Sequence, residues 1–166
     1  MESLHRLHGF ASGNWLDFPD ISVSNQWVYF ASNVFTTSYT GSVVWRAKIA
    51  DLVADGNYTF WYYKSDRGVN GSSFRLTQGA GSRMHWGSHR SSTQLRVHYW
   101  DDSSNGIGNS TATISQWSSA AKVARDAAGN NWGQRADSRI LGGSHGRGQI
   151  AFAWHSAPIG SYQRPH

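Results

Sequence analysis

The chain has 166 residues, 15 Lys and Arg against 10 Asp and Glu, and no cysteine. That length suits one domain able to bury about two-thirds of its unfolded surface, and the missing cysteines exclude disulfides and thiolate metal sites as its support. Only 15% of residues are charged while 14% are aromatic, nine of them Trp, a balance found in strand-rich and sugar-binding domains more than in helical ones. The net charge of +5 is spread singly, with no Lys/Arg cluster of the kind that binds nucleic acid, so solubility is its simpler explanation and nucleic acid is not the expected partner. No run reaches the roughly 18 apolar residues that span a bilayer. The opening MESLHRLHGFASGNW has no continuous apolar segment, so no export signal is read within the chain.

Residues 1–14 read as an N-terminal arm and 15–166 as a single domain in which the periodicity is two almost everywhere. In chain order, DISVSN, WVYFAS, GSVVWRAKI, NYTFWYYK, SFRLTQG, RMHWGS, QLRVHYW, TATISQW, SRILGGS and QIAFAWHS are each predicted as strands, separated by Ser, Asn, Asp and Gly turn chemistry. One helical turn is expected between Ala47 and Ala54, and a short helix between Ser118 and Ala128.

Three stretches share a plan of strand, polar turn and aromatic-rich strand: PDISVSNQWVYFAS, FRLTQGAGSRMHWGSH and SRILGGSHGRGQIAFAWHS. Anchored on Asp20-Ile21, Arg75-Leu76 and Arg139-Ile140, they repeat every 55 to 65 residues or so, with units near 15–65, 66–120 and 130–166. The fold class expected is all-β, an antiparallel β-propeller-like array of about three blades, in which packing on both sheet faces explains runs such as Phe60 to Tyr63. Three blades do not close a ring. The array is therefore expected to be incomplete, or completed by oligomerisation of two copies.

The segments RLTQGAGSRMHWGSH, GNNWGQRADSRILGG and IAFAWHSAP, preceded by PDISVSNQWVYFASNVF, resemble β-propeller-type repeats of secreted bacterial proteins. The resemblance covers most of the chain from about Trp15 onward. It implies an extracellular parent protein with an export signal and further blades, and it carries no activity.

The densest stretch, residues 74–102, supplies the candidate chemistry. A hairpin around HRSST puts Met84, Trp86, Leu95, Val97 and Tyr99 on one face and His85, Arg96, His98 and Trp100 on the other. His85 and His98 are then nearly opposite, with Cβ atoms about 5 Å apart. With Asp101 they form a candidate site for a divalent metal such as Zn or Ca. The alternative is that they are solvated or stacked between sheets. His89, His145 and His155 form a second, rim-type candidate, since propellers gather ligands from equivalent blade positions. None of the nucleophile-elbow, zincin, phosphate-loop or dinucleotide motifs is present, and nothing singles out a carboxylate pair among the ten acids.

Aromatics flanked by polar turns suit glycan binding, because sugar C–H faces stack on indole rings while hydroxyls bond to polar groups at the margin. Trp27, Trp86, Trp100 and Trp132, with Arg96, are the expected ligand-binding set. The leading expectation is an extracellular-type carbohydrate-binding module that forms homo-oligomers. A metal-dependent hydrolase using rim histidines, and a structural assembly piece with no ligand, stand as alternatives.

Overall fold

The computed structural model describes residues 13–54, 58–66, 72–118, 125–131 and 139–156, and in these the period-two pattern becomes ten strands and one helix. The chain is all-β. The strands are β1 (Trp15–Val23), β2 (Trp27–Phe35), β3 (Tyr39–Lys48), β4 (Trp61–Asp66), β5 (Ser72–Gln78), β6 (Arg83–Ser91), β7 (Gln94–Asp101), β8 (Ile107–Thr113), β9 (Ile140–Gly146) and β10 (Gln149–Trp154). The single turn α1 (Ile49–Val53) follows β3 where a helical turn was expected. The helix expected over 118–128 falls mostly outside the described residues; its last part enters a turn closed by a bridge between Arg125 and Asn131. β8 begins at Ile107, ahead of the expected TATISQW, because Ile107 to Ser110 pair with β7 although most of their side chains are small and polar. An outer strand packed on one side tolerates such residues.

Strands β1 to β4 form a four-stranded antiparallel meander. Strands β5 to β8 form a second meander, extended by the β9–β10 hairpin in the order β10-β9-β5-β6-β7-β8, with β5 and β9 parallel. The two meanders share one core. Trp27, Tyr29, Ala31 and Val44 from the first pack on Phe74, Leu76, Met84, Trp86 and Trp100 from the second. Each apolar side chain of this size contributes about 1.5–3 kcal/mol on burial, so this layer dominates the stability.

Polar contacts fix how the sheets meet. The buried Asp102 carboxylate accepts hydrogen bonds from the Ser24 hydroxyl at 2.6 Å and the Gln26 amide at 3.1 Å, pinning the β1–β2 turn to the end of β7. Along β1 and β5, Arg75 donates to the Phe18 carbonyl, the Leu76 amide to Asp20, the Ser22 hydroxyl to the Thr77 carbonyl, and Gln78 to the Ile21 carbonyl. From Phe18–Arg75 through Asp20–Leu76 to Ser22–Thr77 the partners ascend together in sequence, which places β1 alongside β5 in the same direction. β9 continues the row through Thr77↔Gly143 and Gln78↔Ser144. A bulge between Asp17 and Asp20 turns Phe18 to φ 58°, with the guanidinium of Arg75 at 3.5 Å and that of Arg139 at 4.2 Å from its ring.

Candidate functional site

The β6–β7 hairpin fixes where the candidate histidines lie. Its turn is Ser92-Thr93, with Ser91 opposite Gln94, but the register shifts between His89 and Ser91 so that Arg90 is an extra residue on β6. Beyond this bulge His85 pairs with Tyr99 and Trp86 with His98. The sequence reading omitted the bulge, and a slip of one residue exchanges the faces of β7 relative to β6. Hence His85 and His98 sit on opposite faces of the sheet and cannot share a ligand, which corrects the expectation that they are paired.

His98 is fully buried in the core layer. Its ring stacks on Trp86 with centroids 5.4 Å apart and planes at 8°, and Phe74 and Tyr63 close around it. His85 points the other way, toward the β9–β10 hairpin, where its ring meets His145 edge-on at 5.1 Å. Burial, and then the neighbouring His145 and Arg83, push the His85 imidazole down to about 4, against a smaller opposing pull from Asp101. Asp101 is bound instead by Arg83, with Nη2 donating to Oδ2 at 3.0 Å, and this hydrogen bond holds its carboxyl below the usual range. The Arg83 guanidinium also lies 4.5 Å from the Tyr99 ring centroid.

His89 is enclosed by Trp117, at 4.3 Å between centroids, and Trp154, at 5.0 Å. Burial pushes it down to about 4 as well. His155, expected on the same rim as His89, is exposed, and it is the ring of its neighbour Trp154 that lies against His89. Of the six candidate metal ligands, His85 and His145 are in ring contact, and Asp101 is near enough to His85 for their charges to interact. Among the described residues no group of three or more His, Asp or Glu side chains comes close enough to hold a metal ion.

The tryptophans need a second correction. Trp27, Trp86 and Trp100 are 4%, 0% and 2% exposed, so no ring face is open to a sugar. They lie near polar turns in sequence, yet the neighbouring sheet covers them. Trp27 and Trp100 clamp the Arg46 guanidinium, at 4.0 and 3.9 Å from their ring centroids, and their indole nitrogens donate to the carbonyls of Asp102 and Ser104. Arg46 donates in turn to the carbonyls of Asp101 and Ser104 and to the Tyr29 hydroxyl, so an arginine with no exposed surface is held in the core by rings and backbone oxygens. Arg96, half-buried, donates to Asn109 on β8. Trp132 lies outside the described residues.

The assembly alternative expects an exposed apolar sheet face, but sequence reasoning names none of its residues. Pairing places Ile21, Phe30, Trp45 and Tyr62 in one row across β1, β2, β3 and β4, on the side of the first sheet that faces away from the core. Phe30 stacks on Trp45 with centroids 5.8 Å apart, while Ile21 and Tyr62 at the two ends are 56% and 51% exposed. Val23, paired with Val28, extends the row and is also exposed. The signal was present: each of these four strands carries apolar residues at both parities, as a sheet covered on both faces does. Comparison with protein-family models, with curated proteins and with solved structures returned no match.

Proposed function

We propose that the chain is a binding and assembly unit of propeller type, and that it acts through the apolar face of its first sheet. Two up-and-down four-stranded meanders support the propeller reading, as does a hairpin that begins a third unit, with the first strands β1, β5 and β9 side by side. The convergence of Arg75 and Arg139 on Phe18 fits a common axis along those strands. The observation that carries the function is the row from Ile21 to Tyr62, whose ends, with Val23, are exposed while Phe30 and Trp45 between them are partly covered, since apolar side chains left open in this way mark an interaction site. An apolar dye tests it. The dilute chain is expected to bind dye, and an Ile21→Asp/Tyr62→Asp variant of unchanged fold to lose most of the fluorescence; an undiminished signal would remove this face from consideration.

A second reading, glycan binding, draws on other rings. Trp61 on β4 and Tyr58 just before it are 41% and 48% exposed and supply the open faces that Trp27, Trp86 and Trp100 lack. Titration with neutral oligosaccharides is expected to quench tryptophan fluorescence in the native chain and not in Trp61→Ala. Equal quenching in both would end this reading.

A further inference from the structure

The two meanders repeat one packing step, and the repetition names a partner for the apolar face. Cross-strand pairing makes Ile21, Phe30 and Trp45 on β1, β2 and β3 the positional equivalents of Leu76, Trp86 and His98 on β5, β6 and β7. In the second meander that face is fully covered, by the Ala31, Val44 and Tyr63 face of the first. In the first meander the same face has no sheet upon it among the described residues, and it is open at Ile21, Val23 and Tyr62, whereas Ser32, Val34 and Val43 further along it are buried.

The step recurs with the hairpin. Ala31, Gly87 and Ala153 each directly follow an aromatic residue, Phe30, Trp86 and Phe152, in the second strand of their unit. Trp86 packs in one cluster with Ala31. The Phe152 ring lies so close over Gly87 that a Cβ there would stand 2.9 Å from it. In both cases a large ring of one unit lies toward the small-residue face of the unit before it, in direct contact at Phe152 and Gly87 and within a shared core cluster at Trp86 and Ala31. At the far end the hairpin presents that small-residue side outward: Ala151, Ser144 and Ala153 share the side opposite Phe152, and all three are exposed.

Resting on the reading of the first-sheet face as an interaction surface, we propose that its occupant is a second copy of this chain. The Ile21–Phe30–Trp45–Tyr62 face of one copy docks on the Ala151 and Ala153 side of the β9–β10 hairpin of the other, with Phe30 over Ala153. The interface repeats, between copies, the meeting of a ring-bearing face with a small-residue face that joins the two meanders and that Phe152 makes over Gly87, although the hairpin is also joined to β5 in one sheet. Because the two surfaces differ, the contact is heterologous: two copies form a closed pair when both contacts are made, and larger assemblies when they are not.

Light scattering after size exclusion tests this on the full chain. At tens of micromolar the expected mass is about twice the chain mass of 18.4 kDa, or a higher multiple. Tyr62→Asp, which alters only the head surface, and Ala153→Arg, which alters only the tail, are each expected to run as monomers with unchanged circular dichroism. If Tyr62→Asp perturbs the fold, Val23→Asp serves in its place, since Val23 is exposed. An equimolar mixture of head and tail variants is expected to recover a dimer, since one intact contact remains between them. A monomer at every concentration overturns the second copy as occupant, and so does an assembly that Ala153→Arg leaves intact. The dye measurement separates the two failures: a monomer that still binds dye through Ile21 and Tyr62 keeps the interaction surface and loses only the partner.

Discussion

At the scale of single residues, buried histidine links this protein's stability to pH. In the unfolded chain His85 and His89 protonate near the ordinary value of 6.5, whereas in the folded chain both are held down to about 4. Between those values the unfolded state binds more protons, so the stability present above the ordinary value is lost as pH falls through the window. The shifts correspond to about 3 kcal/mol for each histidine at the acid end. Urea midpoints are therefore expected to be level above about pH 7 and to fall steeply from pH 6.5 to 4. A His85→Asn/His89→Asn double variant is expected to show a shallower fall over the same interval; a curve parallel to the native one would assign the acid sensitivity to other groups. Glycine gives a second test at this scale. A methyl group at Gly87 meets the Phe152 ring at 2.9 Å, so Gly87→Ala is expected to cost about 1–3 kcal/mol although alanine is the better strand residue. Adding Phe152→Leu should return part of that loss in urea unfolding. If Gly87→Ala alone proves stabilising, the hairpin does not pack as described.

At the scale of elements, Arg46 ties β3 to the end of β7. Its planar fork lies between Trp27 and Trp100 while its nitrogens reach the carbonyls of Asp101 and Ser104. Removing it leaves a cavity between two rings and takes one donor from each of the Asp101 and Ser104 carbonyls and from the Tyr29 hydroxyl, so Arg46→Ala is expected to cost about 3 kcal/mol or more. Arg46→Lys should recover only part, because an ammonium cannot stack between two rings and reach both carbonyls. The near-ultraviolet circular dichroism of the flanking tryptophans reports the same order, and a lysine variant equal to the native chain would show that the fork is dispensable.

The elements also show what the sequence could reveal. Alternation located nearly every strand, because one buried face imposes period two wherever it occurs. It could not locate the bulge at Arg90, since an extra residue in a strand leaves no mark in a pattern read one strand at a time. That single residue separated His85 from His98. Nor could it tell a tryptophan beside a polar turn from a tryptophan under a neighbouring sheet, because burial of Trp27 and Trp100 is decided by strands 50 or more residues away, as with Trp27 and Asp102. Arg46 had a faint signal, a lone arginine inside GSVVWRAKI, where every other residue from Gly41 to Ala47 is uncharged.

For the molecule as a whole, the two meanders and the hairpin are not equally bound. The meanders share the layer that holds Trp27, Tyr29, Leu76 and Trp86, and they are expected to unfold together for that reason. The hairpin pairs with β5 through only two residue pairs and is otherwise held by the buried Ile140 at the start of β9 and by Phe152, His145 and Trp154. It is thus expected to open at lower free energy than the rest, as a cooperative unit of its own. In hydrogen exchange followed by mass spectrometry on dilute protein, amides of β9 and β10 should exchange well before those of β2 and β6, and with a weaker dependence on urea. Phe152→Ala should speed exchange in the hairpin by about 10-fold or more while leaving β2 and β6 unchanged, since each factor of ten reflects only about 1.4 kcal/mol. Equal protection in the hairpin and in β6 at low concentration would make the chain a single cooperative unit. If a second copy seats on the hairpin, raising the concentration must slow exchange in β9 and β10, because a partner that binds only the closed form adds its binding free energy to the cost of opening.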